Sequence, residues 1–187
     1  MGIEQLVKIK VQEISRDTIK FTSKTRLWCQ LPYPNHPRGC PNYSNKETCP
    51  PKASYKPEIL NDYSNFLLVY AIFNLKKQKE RMLLKHPNWS QKQASCLLYW
   101  QNSVKKILRE YINEIYIRNK KKRIYLFSSG SGFSSMKLNQ GLIYSMEAIG
   151  IDVFNTLRNN YINFELKPYE NVILTNLICS NGVLVIE

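Results

Sequence analysis

The chain has 187 residues, with 27 Lys plus Arg against 14 Asp plus Glu and a formal charge of +13. One domain spanning residues 1–187, with a sizeable core, is the expectation at this length. The basic excess points toward nucleic acid, an anionic surface or an acidic protein partner, although Lys, Asn, Ile and Tyr are frequent throughout, as a compositional bias would also give. No apolar run approaches the ~20 residues that cross a bilayer, and the first residues carry no basic region followed by an apolar core. A membrane span and a secretory leader are thus excluded from the expectation, and a soluble cytoplasmic protein is expected. Five cysteines, an odd number, argue against a secreted disulfide framework and for metal ligation in a reducing compartment.

Residues 6–14 alternate apolar and polar side chains (Leu6, Lys8, Ile9, Val11, Ile14), the period of a half-buried strand, and residues 17–22 are expected to pair with it as a hairpin. A Cys/Pro-rich loop over residues 26–56 follows. Pro57 suits the first turn of a short helix reaching Tyr63, because its missing N–H is not needed there. Residues 66–73, Phe-Leu-Leu-Val-Tyr-Ala-Ile-Phe, predict a fully buried strand. Ser90 and Gln93 form a capping-box pair. Leu97, Trp100, Val104, Ile107, Leu108, Tyr111 and Ile115 recur at helical spacing behind it, which predicts one long amphipathic helix over residues 90–117. Its basic end, Arg118-Asn-Lys120-Lys121-Lys122-Arg123, suits a helix C-terminus. Residues 124–127 predict a strand, residues 142–158 a helix broken at Gly150, and residues 171–178 and 183–186 two strands joined at Asn181-Gly182, a favoured hairpin turn. The fold class expected from this order is α/β or α+β: a single layered domain with a mixed sheet, a long amphipathic helix and a Cys/Pro-rich metal-binding loop.

The loop carries the most chemistry. Between Cys29 and Pro51 it gathers three of five cysteines, one of two histidines and six of nine prolines. Cys29, Cys40 and Cys49 are separated by ten and eight residues, wider than the Cys-x-x-Cys of a zinc ribbon or a bacterial ferredoxin. Gly39-Cys40-Pro41 and Cys49-Pro50-Pro51 stiffen the backbone beside two of the thiols, and no apolar period explains them as core. Cys29, His36, Cys40 and Cys49 would complete a Cys3His tetrahedron for structural zinc. The three cysteines with an exchangeable fourth position would instead suit an iron–sulfur cluster. Cys179 and Cys96 read as small packing residues.

Cys40-Pro-Asn-Tyr43, Cys49-Pro-Pro51, the apolar strand after them and the tract Ser145-Met-Glu-Ala-Ile-Gly-Ile-Asp-Val153 together resemble a family of small prokaryotic predicted metal-binding proteins of unknown function. The similarity runs from about Leu27 to Leu157. The family's motif has the form Cys, then Cys-Pro-x-Tyr-Gly, then Cys-Pro-Pro; here Ser44 stands where glycine is usual. Its members usually carry a second cysteine group before the Ser-Met-Glu-Ala tract, where this chain has Gly130-Ser-Gly-Phe-Ser-Ser-Met-Lys-Leu-Asn-Gln140. The resemblance therefore implies metal binding through the N-terminal thiols alone, and it tips the choice toward an iron–sulfur cluster, with zinc as the alternative.

Gly130, Ser131 and Gly132 follow a predicted strand and could offer N–H groups to an anion, but lack the full Gly-x-Gly-x-x-Gly pattern and the P-loop lysine. Glu147 and Asp152 lie near that loop in sequence without a spacing that assigns them an acid/base role. Lys120, Lys121, Lys122 and Arg123 are the candidate phosphate contacts of the alternative, a basic nucleic-acid-binding or partner-binding protein. No sequence signature assigns a reaction.

Overall fold

The computed structural model describes residues 2–32, 36–135 and 140–186. Its frame is a four-stranded sheet. β1 (Val7–Ile14) pairs with β2 (Asn65–Asn74) over its whole length, from Val7↔Phe73 to Ile14↔Phe66. β6 (Asn171–Ser180) lies on the other side of β2, and β3 (Ile124–Phe127) covers only its last residues, from Phe127↔Leu177 to Ile124↔Ser180. The order is β1-β2-β6-β3, and every pair is antiparallel. A separate ribbon joins β4 (Phe133–Ser135) to β5 (Gly141–Ile143). The class is thus α+β, and the mixed sheet expected from sequence is an antiparallel one.

β2 is apolar from Phe66 to Phe73, apart from the Tyr70 hydroxyl, because both faces of the sheet are covered. Side chains alternate in a strand: Leu67, Val69, Ala71 and Phe73 pack on one side with Val104, Leu108, Ile112 and Ile115 of α4 (Gln101–Arg118). On the other side Phe66, Leu68 and Tyr70 meet Leu60, Met146, Ile149 and Ile151, and Leu157 of α5 (Val153–Asn159). The sheet is therefore the middle layer between α4 and the 146–162 segment.

Five expectations change. Residues 17–22 do not pair with β1, whose partner is β2; they form a 3-10 turn at Arg16–Thr18, and Phe21 bridges to Ile151. The long helix is divided into α3 (Gln91–Ala94), a 3-10 turn at Leu97–Tyr99 and α4. The capping box itself forms, with Gln93 N–H to Ser90 Oγ at 3.2 Å and Ser90 N–H to Gln93 Oε1 at 2.8 Å. The break follows burial. Leu97 and Leu98 are exposed, whereas Trp100 is buried, stacks on Phe73 at 4.7 Å and donates its indole N–H to Ser95 O at 3.3 Å.

Third, α2 (Leu75–Lys85) follows β2 directly, an element the charged sequence after Leu75 concealed. Asn74 caps it by accepting from Lys77 N–H at 2.8 Å, and Leu75, Gln78 and Met82 form its buried stripe. Fourth, only the last part of the 142–158 helix exists, as α5. At Gly150 φ is +101°, a left-handed value that favours glycine, and the Tyr55 ring occupies the place of a Cβ. Asp152 then caps α5 by accepting from Asn155 N–H at 3.0 Å. Fifth, residues 183–186 are not a strand. The end of β6 is already flanked by β2 and β3, so no edge remains for a returning hairpin. Asn119 instead holds the segment, donating to Val185 O at 2.7 Å and accepting from Val185 N–H at 2.9 Å. No helix among the described residues is long and apolar enough to cross a membrane.

Candidate metal centre

The short helix α1 (Lys24–Trp28) delivers Cys29 at its C-terminal cap. The chain returns over it at Gly39, where φ is +82° and a Cβ would stand 2.5 Å from Cys29 O and 2.9 Å from Gln30 Cα. Only glycine allows that approach, and it lets Cys40 N–H donate to Cys29 O at 2.7 Å. Tyr43 N–H then bonds Cys40 O at 3.0 Å, Ser44 N–H bonds Pro50 O at 2.8 Å, and Cys49 N–H bonds Lys46 O at 3.1 Å. Ser44 has φ +63°, which gives a physical reason for glycine in the motif at this position. Arg26 ties the loop to the molecule by donating to Ala53 O and, at 2.6 Å, to Ala148 O. Thr25 adds a bond to Glu147 O at 2.9 Å.

One hydrogen-bonded loop thus holds all three thiols in each other's electrostatic range. Cys29 and Cys40 are half-buried and Cys49 is buried. Burial, followed by the charges of Cys40, Glu147 and Cys49, raises the Cys29 thiol to about 11, and Arg26 opposes the rise. Burial also raises Cys49, while the Gly132 N–H, the Thr48 hydroxyl and the charge of Lys46 act the other way. Lys105 lies within electrostatic reach of Cys40. Each thiol therefore has a cation near it, and the donor set is one of soft sulfur ligands. Among the described residues no three His, Cys, Asp or Glu side chains stand close enough together to hold a metal ion as they are. The thiols are neighbours on a common loop without converging on a point. His36 is half-buried on the same loop and accepts from Gly39 N–H through its carbonyl at 3.1 Å; the preceding loop residues 33–35 lie outside the described residues.

The Gly130-Ser131-Gly132 loop packs directly on this site. A Cβ at Gly132 would meet Ile143 O and, at 2.5 Å, Thr48 Cβ. N–H groups here serve the chain's own acceptors: Ser129 N–H bonds Asn176 Oδ1 at 3.1 Å and Gly130 N–H bonds the Glu147 carboxylate at 3.3 Å, while the Gly132 N–H lowers the Cys49 thiol. Residues 136–139, in the stretch where the resemblance expects more thiols, lie outside the described residues. Glu147, which the sequence left without a role, is drawn into the site. Burial raises its carboxyl to about 7, against the hydrogen bonds from its own N–H, Gly130 and Ser145 and the charge of Lys105. Asp152 is a helix cap. The signal for Glu147 was its place in the Ser145–Val153 tract; Lys105 shows in the sequence only as one of the basic residues interleaved with aromatics along the long helix.

A family of predicted metal-binding proteins, domain of unknown function 2284, matches residues 12–131, well over half of the chain. The chain belongs to this family. The match includes Cys29, Cys40 and Cys49 and reaches the Gly130-Ser131 turn; it ends before the Ser145–Val153 tract on which the sequence resemblance also drew. Neither the curated proteins nor the solved structures gave a match.

The remaining candidates lie elsewhere. Cys179 is fully buried in β6 opposite Phe66, and burial raises its thiol strongly. Cys96 precedes the 3-10 turn between α3 and α4. In the basic cluster Lys122 donates to Val183 O, and Arg123 bonds Asp62 at 3.1 Å and covers the Tyr63 ring; Lys120 and Lys121 are exposed.

Proposed function

We propose that the 26–56 loop binds a metal centre through Cys29, Cys40 and Cys49, and that the centre is an iron–sulfur cluster. The observation that carries the reading is the assembly of three thiols by one hydrogen-bonded loop in a member of a predicted metal-binding family. Two features favour a cluster over zinc. Arg26, Lys46 and Lys105 surround the thiols with positive charge, which suits a thiolate-bound group of net negative charge. The Gly132 N–H, which lowers the Cys49 thiol, would supply the cluster with the kind of hydrogen bond to sulfur that tunes its potential. When bound, such a group supplies electron transfer or a Lewis-acidic iron. The protein's part is to hold the ligands, balance their charge and restrict water through the Gly130–Gly132 loop. Because the thiols do not converge beforehand, metal binding has to draw them together, and binding and loop order are coupled.

The test is anaerobic purification followed by a visible spectrum and determination of iron, sulfide and zinc. A brown protein with broad absorbance near ~400 nm is the expected result. Cys40→Ser and Cys49→Ser should release the metal, and Cys96→Ser should keep it. Full retention of metal by both loop variants would overturn the proposal. A colourless protein with zinc, lost on His36→Ala, would replace the cluster by the Cys3His site.

A further inference from the structure

The stretch that carries Cys29 also carries large apolar side chains that the core does not use. Leu27 is 59% exposed, Trp28 37% and Leu31 58%. Leu27 and Trp28 end α1, and Leu31 N–H bonds Trp28 O at 3.1 Å, so these side chains bracket Cys29 in one turn of chain. Phe154, itself 42% exposed, extends the patch: its ring lies 6.0 Å from that of Trp28, and the two rings help to wall a cavity of about 250 Å³. A single exposed leucine is ordinary, but neighbouring large apolar residues around a half-buried thiol form the kind of patch that marks an interaction site.

Charge narrows the choice of partner. Residues 20–56 carry seven Lys and Arg against one carboxylate, Glu47, which is already paired with Lys52 at 2.6 Å. Lys24 lies one helical turn before Trp28, Arg38 adjoins the glycine that packs on Cys29 O, and Lys46 O accepts from Cys49 N–H. Lys24, Arg38 and Lys46 are exposed, with no carboxylate within salt-bridge distance among the described residues. An apolar centre inside a basic rim is the arrangement of an interface with an acidic protein, in which the rim steers encounter and the centre excludes water. The same rim repels a second copy of this chain, and leucines give a nucleic-acid base no ring to stack on.

We infer that this face docks a small acidic electron-carrier protein, with Leu27, Trp28, Leu31 and Phe154 at the centre of the contact and Lys24, Arg38 and Lys46 at its rim. The inference rests on the iron–sulfur reading of the cysteine loop. Cys29 lies within the patch, so docking brings the carrier's redox group up to a cluster ligand. One electron passes between the reduced carrier and the oxidised cluster, and no bond forms or breaks.

The probe is a purified acidic plant-type ferredoxin, titrated by calorimetry into the anaerobically purified protein. Binding in the micromolar range is expected at low salt, weakening about tenfold between about 20 mM and about 200 mM salt. Leu27→Ser combined with Leu31→Ser should weaken it about tenfold or more. Lys24→Glu combined with Arg38→Glu should weaken it and flatten its salt dependence. All four positions are exposed, so iron content and the rate of reduction by dithionite should match the parent in both variants, whereas electron exchange with the ferredoxin, followed by stopped-flow absorbance, should slow. No binding at low salt, equal binding by the parent and the leucine variant, equally tight binding of a single-stranded RNA, or docking without electron exchange in either direction would overturn the inference. A parent that purifies without iron fails the cluster reading and this inference with it; an iron-containing parent that ignores the ferredoxin fails this inference alone.

Discussion

Replacing Gly132 with alanine tests the docking of the Gly-rich loop on the cysteine loop. Its backbone φ lies outside the left-handed region, so the cost is steric rather than conformational. The new methyl would overlap Ile143 O, a backbone atom of β5, and stand 2.5 Å from Thr48 Cβ and 2.8 Å from Thr48 Oγ1. Thr48 is buried and adjacent to Cys49, and its carbonyl accepts from Ser145 N–H at 3.5 Å, so it has little room to retreat. Overpacking of this kind costs about 1–3 kcal/mol. The expected loss is therefore about 1–3 kcal/mol, or a fall in Tm of about 2–12 °C for a chain of this size. Thermal and urea unfolding would measure it. Gly182→Ala is the control, because no atom lies within 4 Å of its Cβ position and its φ is ordinary; it should stay within about 0.5 kcal/mol of the parent. Metal content after anaerobic purification should fall in Gly132→Ala and not in Gly182→Ala. Equal stability of the two variants would refute the docking of Gly132 against Thr48 and Cys49.

Ser44→Gly should stabilise the protein by about 0.5–1 kcal/mol in urea unfolding, since relief of the left-handed conformation at φ +63° exceeds the added chain entropy of glycine. Glu147 gives a pH signature: with its carboxyl near 7 in the folded protein against 4.5 unfolded, the folded state binds the extra proton between those values. Its contribution to stability falls as pH rises through that window, by about 3 kcal/mol in all. Glu147→Gln should remove that fall, and parallel urea midpoints for parent and variant from pH 5 to pH 8, about the span of the window, would contradict it. Asn119→Ala should cost about 2–3 kcal/mol and speed amide exchange across residues 183–186, because the buried amide of Asn119 is the partner of both Val185 N–H and Val185 O.

What could be read from the sequence was what depends on local pattern. β1, β2, β3 and β6 lie where their apolar runs put them, and Ser90 and Gln93 make the capping box. The failures involve tertiary competition. Residues 97–100 continue the helical period, yet the core has a place for Trp100 and none for Leu97 or Leu98, so the helix breaks there. Asn181-Gly182 is a good hairpin turn, but β3 already flanks the strand it leaves. Propensity proposes a partner, and the sheet order decides whether the place is free.

The same division runs through the candidate site. Cys29, Cys40 and Cys49 stood out because glycine and proline hold their backbone within one stretch of chain, where sequence and space coincide. Glu147 and Lys105 arrive from distant elements. Lys105 projects from α4 toward Gly130, where the chain leaves β3, and the turn after β5 carries Glu147 back to accept from that same glycine. Neither contact has a signature in spacing, since each depends on how far β3 extends along β6 before it turns away. That early departure at Phe127 places Gly132 against Thr48, the neighbour of Cys49, and leaves residues 172–175 of β6 facing a cavity also lined by Trp28, Phe154 and Phe164. One feature of the sheet thus shapes both the cover over the thiols and the slot beside them. An alteration that lengthens the β3–β6 pairing past Phe127↔Leu177 should disturb the two together, whereas changes within residues 36–45 should reach only the first.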